Sequence, residues 1–220
     1  MAQTTTATSE PTSELPVPSL SNIFKCVVIG DPNIGKTTLL IRYTTDKLTP
    51  PTELPAVCGN QVVKIGPHTL SLFDTHHLEE DGHRLKPLIY PETDVLLLCF
   101  SLVRGLSTLE NAKQKWLEEI QHFCPGTPFI LVGLQKDLRD QPELGVLGQG
   151  YGVKTSRLEK VVSEAEGRSV ARRLGVSAYV ECSSVTGEGV GEVFLETALA
   201  ALRPVPEEKM EKKRDFCVVA

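Results

Sequence analysis

The sequence predicts an α/β domain, a mostly parallel six-stranded sheet with helices on both faces. Strand-like and helix-like stretches alternate along the chain between residues 24 and 202. Residues 94–102 form a continuous apolar run, the mark of a central strand buried on both faces. Residues 30–37 read Gly-Asp-Pro-Asn-Ile-Gly-Lys-Thr, a complete G-x-x-x-x-G-K-[ST] string set between a strand and a helix.

In chain order, residues 1–21 are rich in Thr, Ser and Pro and nearly free of apolar side chains, which predicts a disordered extension. A domain is expected over 22–203 and a polar tail over 204–220. Residues 24–29 predict the first strand and 38–43 the first helix. Gln61–Ile65 and 69–74 flank Gly66-Pro67-His68 and predict a hairpin. Residues 107–122 carry helical spacing through Leu109, Ala112, Trp116 and Ile120. The charges Lys113, Lys115, Glu118 and Glu119 are expected on its wet face. Residues 129–133 predict another buried strand, and the glycine-rich 141–156 a surface insertion. A helix over 157–174, a short strand over 179–182 and an amphipathic helix over 189–202 complete the pattern. Ligands of such a sheet sit at the carboxyl ends of its strands, where Gly30, Asp74 and Asp137 fall.

At 220 residues the chain can bury one substantial core. A hydrophobic content of 40% and a charged content of 23% fit a soluble globular protein, and a net charge of -5 argues against general nucleic-acid binding. No apolar run reaches membrane-spanning length, and the N-terminus lacks a secretory pattern. The six cysteines, at 26, 58, 99, 124, 182 and 217, show no metal-ligand spacing and suggest a reducing compartment. Cys26, Cys99 and Cys182 lie in apolar strand-like segments, where a thiol acts as a small hydrophobe.

The string at 30–37 has a direct physical meaning. Loop N–H groups and the positive end of the following helix attract phosphate oxygens. Gly30, Asn33, Ile34, Gly35 and Thr38 form the cradle, Lys36 reaches the outer phosphates, and the Thr37 hydroxyl is a Mg²⁺ ligand. The strand–loop–helix setting disfavours a chance glycine turn with a surface lysine.

Further strings follow in order: Asp74-Thr75, then Arg84-Leu85-Lys86-Pro87 running into the buried strand that ends Cys99-Phe100-Ser101-Leu102. Next come Leu131-Val132-Gly133-Leu134-Gln135-Lys136-Asp137 and Glu181-Cys182-Ser183-Ser184. Together they resemble the Rho branch of the Ras-type small GTPases, close to Rac-like members, over about residues 23–202 and again at the last four. The resemblance implies the small G-protein version of the phosphate-loop NTPase fold, with GTP or GDP and Mg²⁺ as ligands. It implies that Asp137 accepts hydrogen bonds from the guanine N1–H and exocyclic amine, with the Gln135 stem along the base. Ser183-Ser184 stands in place of Ser-Ala, which presents a backbone N–H to guanine O6, and Asp74 is a metal-facing carboxylate. Leu134 replaces a polar residue and offers no side-chain hydrogen bond.

Departures from that pattern cluster where the γ-phosphate would be sensed or cleaved. The family's Asp-Thr-Ala-Gly-Gln-Glu becomes Asp74-Thr75-His76-His77-Leu78-Glu79, so Leu78 stands in place of the water-orienting glutamine. No catalytic residue is assigned. Ala56 replaces the threonine that ligates Mg²⁺, Leu48 replaces an aromatic beside the nucleotide, and Pro32 removes a loop N–H. His76 and His77, beside Glu79, Glu80 and Asp81, are read as part of a solvated loop rather than a base or a metal site. Hydrolysis is expected to be slow or absent, since loss of a transition-state-orienting group costs about a hundredfold or more. The alternative is a pseudo-GTPase interaction module. An ATP-using phosphate-loop kinase is disfavoured by Asp137 and Ser183.

Cys217-Val218-Val219-Ala220 fits C-a-a-X, with Ala pointing to a farnesyl group on Cys217. Lys209, Lys212, Lys213 and Arg214 are offset by Glu207, Glu208, Glu211 and Asp215, so attachment should be reversible. The expected setting is the cytoplasmic face of a plasma membrane or endomembrane, in exchange with cytosol. The expected partners are effectors, exchange factors or a guanine-nucleotide dissociation inhibitor, with no nucleic acid; cytoskeletal or polarity signalling follows from the resemblance.

Overall fold

The computed structural model describes residues 23–48, 60–75, 86–140 and 161–203. The N-terminal extension, Ala56, His76, His77, Leu78, the 141–156 insertion and the tail with Cys217 lie outside the described residues.

Six strands form one sheet: β1 (Ile23–Gly30), β2 (Gln61–Ile65), β3 (His68–Asp74), β4 (Val95–Ser101), β5 (Phe129–Leu134) and β6 (Ala178–Glu181). Their spatial order is β2-β3-β1-β4-β5-β6. Among the described strands only β2 runs antiparallel to its neighbour, pairing Gln61 with Leu72 and Ile65 with His68 across the predicted hairpin. Gly66 turns that hairpin with a φ of 58°, where a side chain is disfavoured. All seven residues of β4 are buried, as a strand covered on both faces requires.

The helices of the described residues include α1 (Lys36–Thr45), α2 (Gly105–Asn111), α3 (Leu117–Phe123), α4 (Lys136–Asp140), α5 (Glu164–Leu174) and α6 (Val190–Leu202). A π-helical turn, Ala112–Trp116, joins α2 to α3, so the predicted helix over 107–122 is present but changes register midway. On one face of the sheet, Leu39 and Leu40 of α1 and Val193 and Phe194 of α6 pack with Val28, Leu72 and Leu97. On the other, Leu109, Trp116 and Ile120 pack with Val27, Ile29, Leu96 and Leu98. Because strand side chains alternate, neighbouring residues of one strand feed both cores.

Two expectations need correction. Of the helix predicted over 157–174, residues 157–160 lie outside the described residues, 161–163 are not helical, and the helix runs over Glu164–Leu174. Ser163 is extended and caps it, its Oγ accepting from the Glu166 N–H while the Glu166 carboxylate accepts from the Ser163 N–H. Val162 precedes this cap, buried, with its N–H donated to the Leu102 carbonyl at 2.9 Å. The second correction concerns Glu119, expected on a wet face. Its carboxylate accepts from Lys86 Nζ at 2.7 Å and Tyr90 Oη at 2.5 Å, fastening the segment at 86–90 to α3.

Candidate functional site

β1 stands where the strand order reverses, with β3 on one side and β4 on the other. The loop after it therefore opens into a crevice at the carboxyl edge of the sheet. Gly30 begins the loop at φ 144°, and a Cβ there would lie 2.3 Å from the Cys99 carbonyl oxygen, so β1 can turn beside β4 only as glycine. Asn33 adopts φ 56° and Gly35 φ 101°. Asparagine tolerates the left-handed region better than most side chains. Ile34 is fully buried and anchors the loop in the core. Thr38 lies in the first turn of α1, and no side chain caps that helix.

Lys36 is 3% exposed, and its ammonium donates to the carbonyls of Gly30 at 2.8 Å and Asp31 at 2.7 Å. The loop thus holds its own cation at the mouth of the cradle. Thr37 Oγ1 donates to Asp74 Oδ2 at 2.5 Å, bringing together the two oxygen ligands expected for Mg²⁺. Paired hydroxyl and carboxylate oxygens suit a hard cation that takes its remaining ligands from phosphate and water. Thr75 Oγ1 donates to the Val28 carbonyl at 2.7 Å and pins the end of β3 against β1. Burial pushes the Cys99 thiol, behind the loop, up to about 12, although the nearby Lys36 ammonium pulls it down.

The second half of the site lies beyond β5 and β6. Gln135 sits at φ 65°, and its side-chain oxygen accepts from Ser101 Oγ at 2.5 Å. Asp137 is only 7% exposed, yet its carboxylate accepts no hydrogen bond among the described residues. Its oxygens keep access to solvent and stand open to donors on a ligand. Ser183 is fully buried, and its Oγ accepts from the N–H groups of Val185 at 3.1 Å and Thr186 at 3.0 Å. The Ser184 N–H has no backbone partner among the described residues. The Lys136 N–H donates to the Cys182 carbonyl at 3.1 Å, so the loops after β5 and β6 are stitched together. Lys136 also pairs with Glu188, which raises the pKa of its ammonium. Leu134 is buried, an apolar wall rather than a donor.

Beneath this half, Arg139 forms a bidentate pair with Glu181, at 2.9 and 2.6 Å. Tyr179 Oη donates to the same carboxylate at 2.6 Å. Sequence reasoning missed this support, as it missed Ser101 and the bonds that Asn111 and Trp116 make to Asp31. Leu48 is half-buried just before the first gap in the description.

A glycine-bounded loop closing on a buried lysine, opposite a threonine–aspartate pair, defines a nucleoside-phosphate-binding α/β protein of the phosphate-loop type. The family model "Ras family" matches residues 25–203, and the chain belongs to that family. Ras-family proteins are small GTPases, signalling switches that bind GTP or GDP with Mg²⁺ and meet effectors, exchange factors and dissociation inhibitors.

Proposed function

We propose that this chain is a Rho-type guanine-nucleotide switch whose own hydrolysis is slow, tethered reversibly to a membrane through a lipid on Cys217. In this reading Gly30, Asn33, Ile34, Gly35, Lys36, Thr37 and Thr38 hold the phosphates. Thr37 and Asp74 hold Mg²⁺, which would neutralise phosphate charge when bound. Gln135, Asp137, Ser183 and Ser184 hold the base. The Asp137 carboxylate, just beyond β5 and accepting no hydrogen bond among the described residues, carries the guanine assignment. Guanine offers two adjacent donors to one carboxylate, whereas adenine does not.

Slow turnover is argued from residue identity. Leu78 cannot orient a water, and Ala56 offers no ligand to the metal. The same replacements, with His77 and Leu48, favour a second reading in which nucleotide is structural and the chain is an interaction module. Cytoskeletal or polarity signalling on a cytoplasmic membrane face follows from the Rho resemblance. The deciding experiment is identification of the nucleotide released on denaturing the purified protein. GDP or GTP is expected; neither, with no calorimetric binding of GDP and Mg²⁺, refutes the switch. Ala56→Thr with Leu78→Gln is expected to raise single-turnover hydrolysis, and unchanged rates place the catalytic defect elsewhere.

A further inference from the structure

We propose that the π-helical turn Ala112–Trp116 is a clamp on the phosphate loop, and that Asn111 and Trp116 are positioning residues for Lys36. The proposal rests on the nucleotide-binding reading and extends it to residues outside the phosphate-loop string.

Asp31, the second residue of that string, has a buried carboxylate. The Trp116 indole N–H donates to its Oδ1 at 2.8 Å, and the Asn111 amide donates to its Oδ2 at 2.8 Å. Each carboxylate oxygen therefore has a donor, one from the residue before the turn and one from its last residue. The main-chain carbonyl of Asp31 meanwhile accepts from Lys36 Nζ at 2.7 Å. One residue is thus gripped through its side chain by the π-turn and holds the phosphate-seeking ammonium through its backbone.

The change of helical register explains how both donors reach one carboxylate. Residues advance by about 100° each in an α-helix, so two residues five apart point about 140° away from each other. The wider i→i+5 turn of a π-helix brings such residues back toward one side. Asn111 and Trp116 are five apart and bracket the turn. Their common target is 80 residues from Asn111 and 85 from Trp116 in sequence, so the register serves a tertiary contact. Lys115 lies over the indole ring, its Nζ 4.5 Å from the centroid, and shields that ring from water.

The test is the rate at which full-length protein loaded with methylanthraniloyl-GDP and Mg²⁺ releases it into excess GDP. Asn111→Ala and Trp116→Phe are each expected to speed release by about tenfold, the scale of one lost hydrogen bond to a charged group. Asn111 is exposed, so Asn111→Ala should still fold, with a urea midpoint lowered by no more than its bond to Asp31. Accelerated release under conditions far from unfolding is a change a purely structural role would not produce. It also decides the matter should Trp116→Phe fold poorly. In an Asp31→Ala background neither substitution should accelerate release further. Unchanged release in Asn111→Ala, or the same acceleration when Asp31 is absent, overturns the clamp while nucleotide binding stands. A wild-type chain that retains no GDP overturns both.

Discussion

Gly167, inside α5, offers a sharp test of how the base-side half of the site is supported. A Cβ at this position would lie 2.0 Å from Tyr179 Oη, 2.4 Å from Cζ and 3.0 Å from Cε1. No rotation of a methyl relieves such contacts, so Gly167→Ala must displace the phenol. Displacement breaks the Tyr179–Glu181 bond and loosens the acceptor of Arg139, two residues beyond Asp137. Overpacking of this kind costs about 1–3 kcal/mol, and a lost hydrogen bond to a carboxylate about 1.5–3. Alanine returns about 1 kcal/mol as the better helix former. The net expectation is a destabilisation of about 1.5–5 kcal/mol, or a urea midpoint lower by about 1–2 M. The assay is equilibrium urea unfolding at one fixed, saturating GDP and Mg²⁺ concentration, because ligand adds to apparent stability. The decisive control is the Tyr179→Ala background, where the obstacle is gone and Gly167→Ala should stabilise by about 1 kcal/mol. Wild-type stability in Gly167→Ala, or equal destabilisation in both backgrounds, refutes the reasoning.

How much of this was legible in the sequence depends on how local each cause is. The strands were readable because burial on both faces forces continuous apolar runs: residues 94–102 became Val95–Ser101. The hairpin was readable because Gly66 and Pro67 leave few other conformations. The start of α5 was misplaced although its signal, Ser163 three residues before Glu166, is local. The apolar pair Val161-Val162 extended the helical pattern past that cap. Other features have distant causes. The π-turn meets a carboxylate in the phosphate loop, at a position the motif leaves open. Glu119 looked like one more charge on a wet face, but its partners come from a segment about thirty residues earlier. Lys36 and Thr37 stood out through the phosphate-loop string, whereas the roles expected of Asp74 and Asp137 came from the family resemblance of the strings around them. Ser101, which holds Gln135, was missed because a serine ending a buried strand carries no comparable signal.

Three further outcomes are expected. Cys26, Cys99 and Cys182 are buried, and burial raises each thiol pKa, so mass-mapped alkylation at pH 8 should spare them in native protein and modify them in urea; native labelling at any of the three would contradict the packing behind the phosphate loop. Glu119→Ala leaves the Lys86 ammonium and the Tyr90 hydroxyl without their carboxylate and should cost about 2–3 kcal/mol in urea unfolding, with Glu119→Gln costing less because it still offers Tyr90 an acceptor. Tyr90 fixes the pH dependence: burial first, then its bond to the Glu119 carboxylate, raises its folded pKa well above the ordinary tyrosine value. Between the unfolded pKa near 10 and the higher folded one, the native state keeps a proton that the unfolded chain has lost. Stability from this group is therefore full below about pH 10 and falls above it by about 1.4 kcal/mol per pH unit. Urea midpoints measured from pH 9 to 11 should drop more steeply for wild type than for Tyr90→Phe, which has no proton to lose. Parallel curves would mean that Tyr90 ionises as readily in the folded protein as in the unfolded chain, and that the bond to Glu119 does not hold its proton.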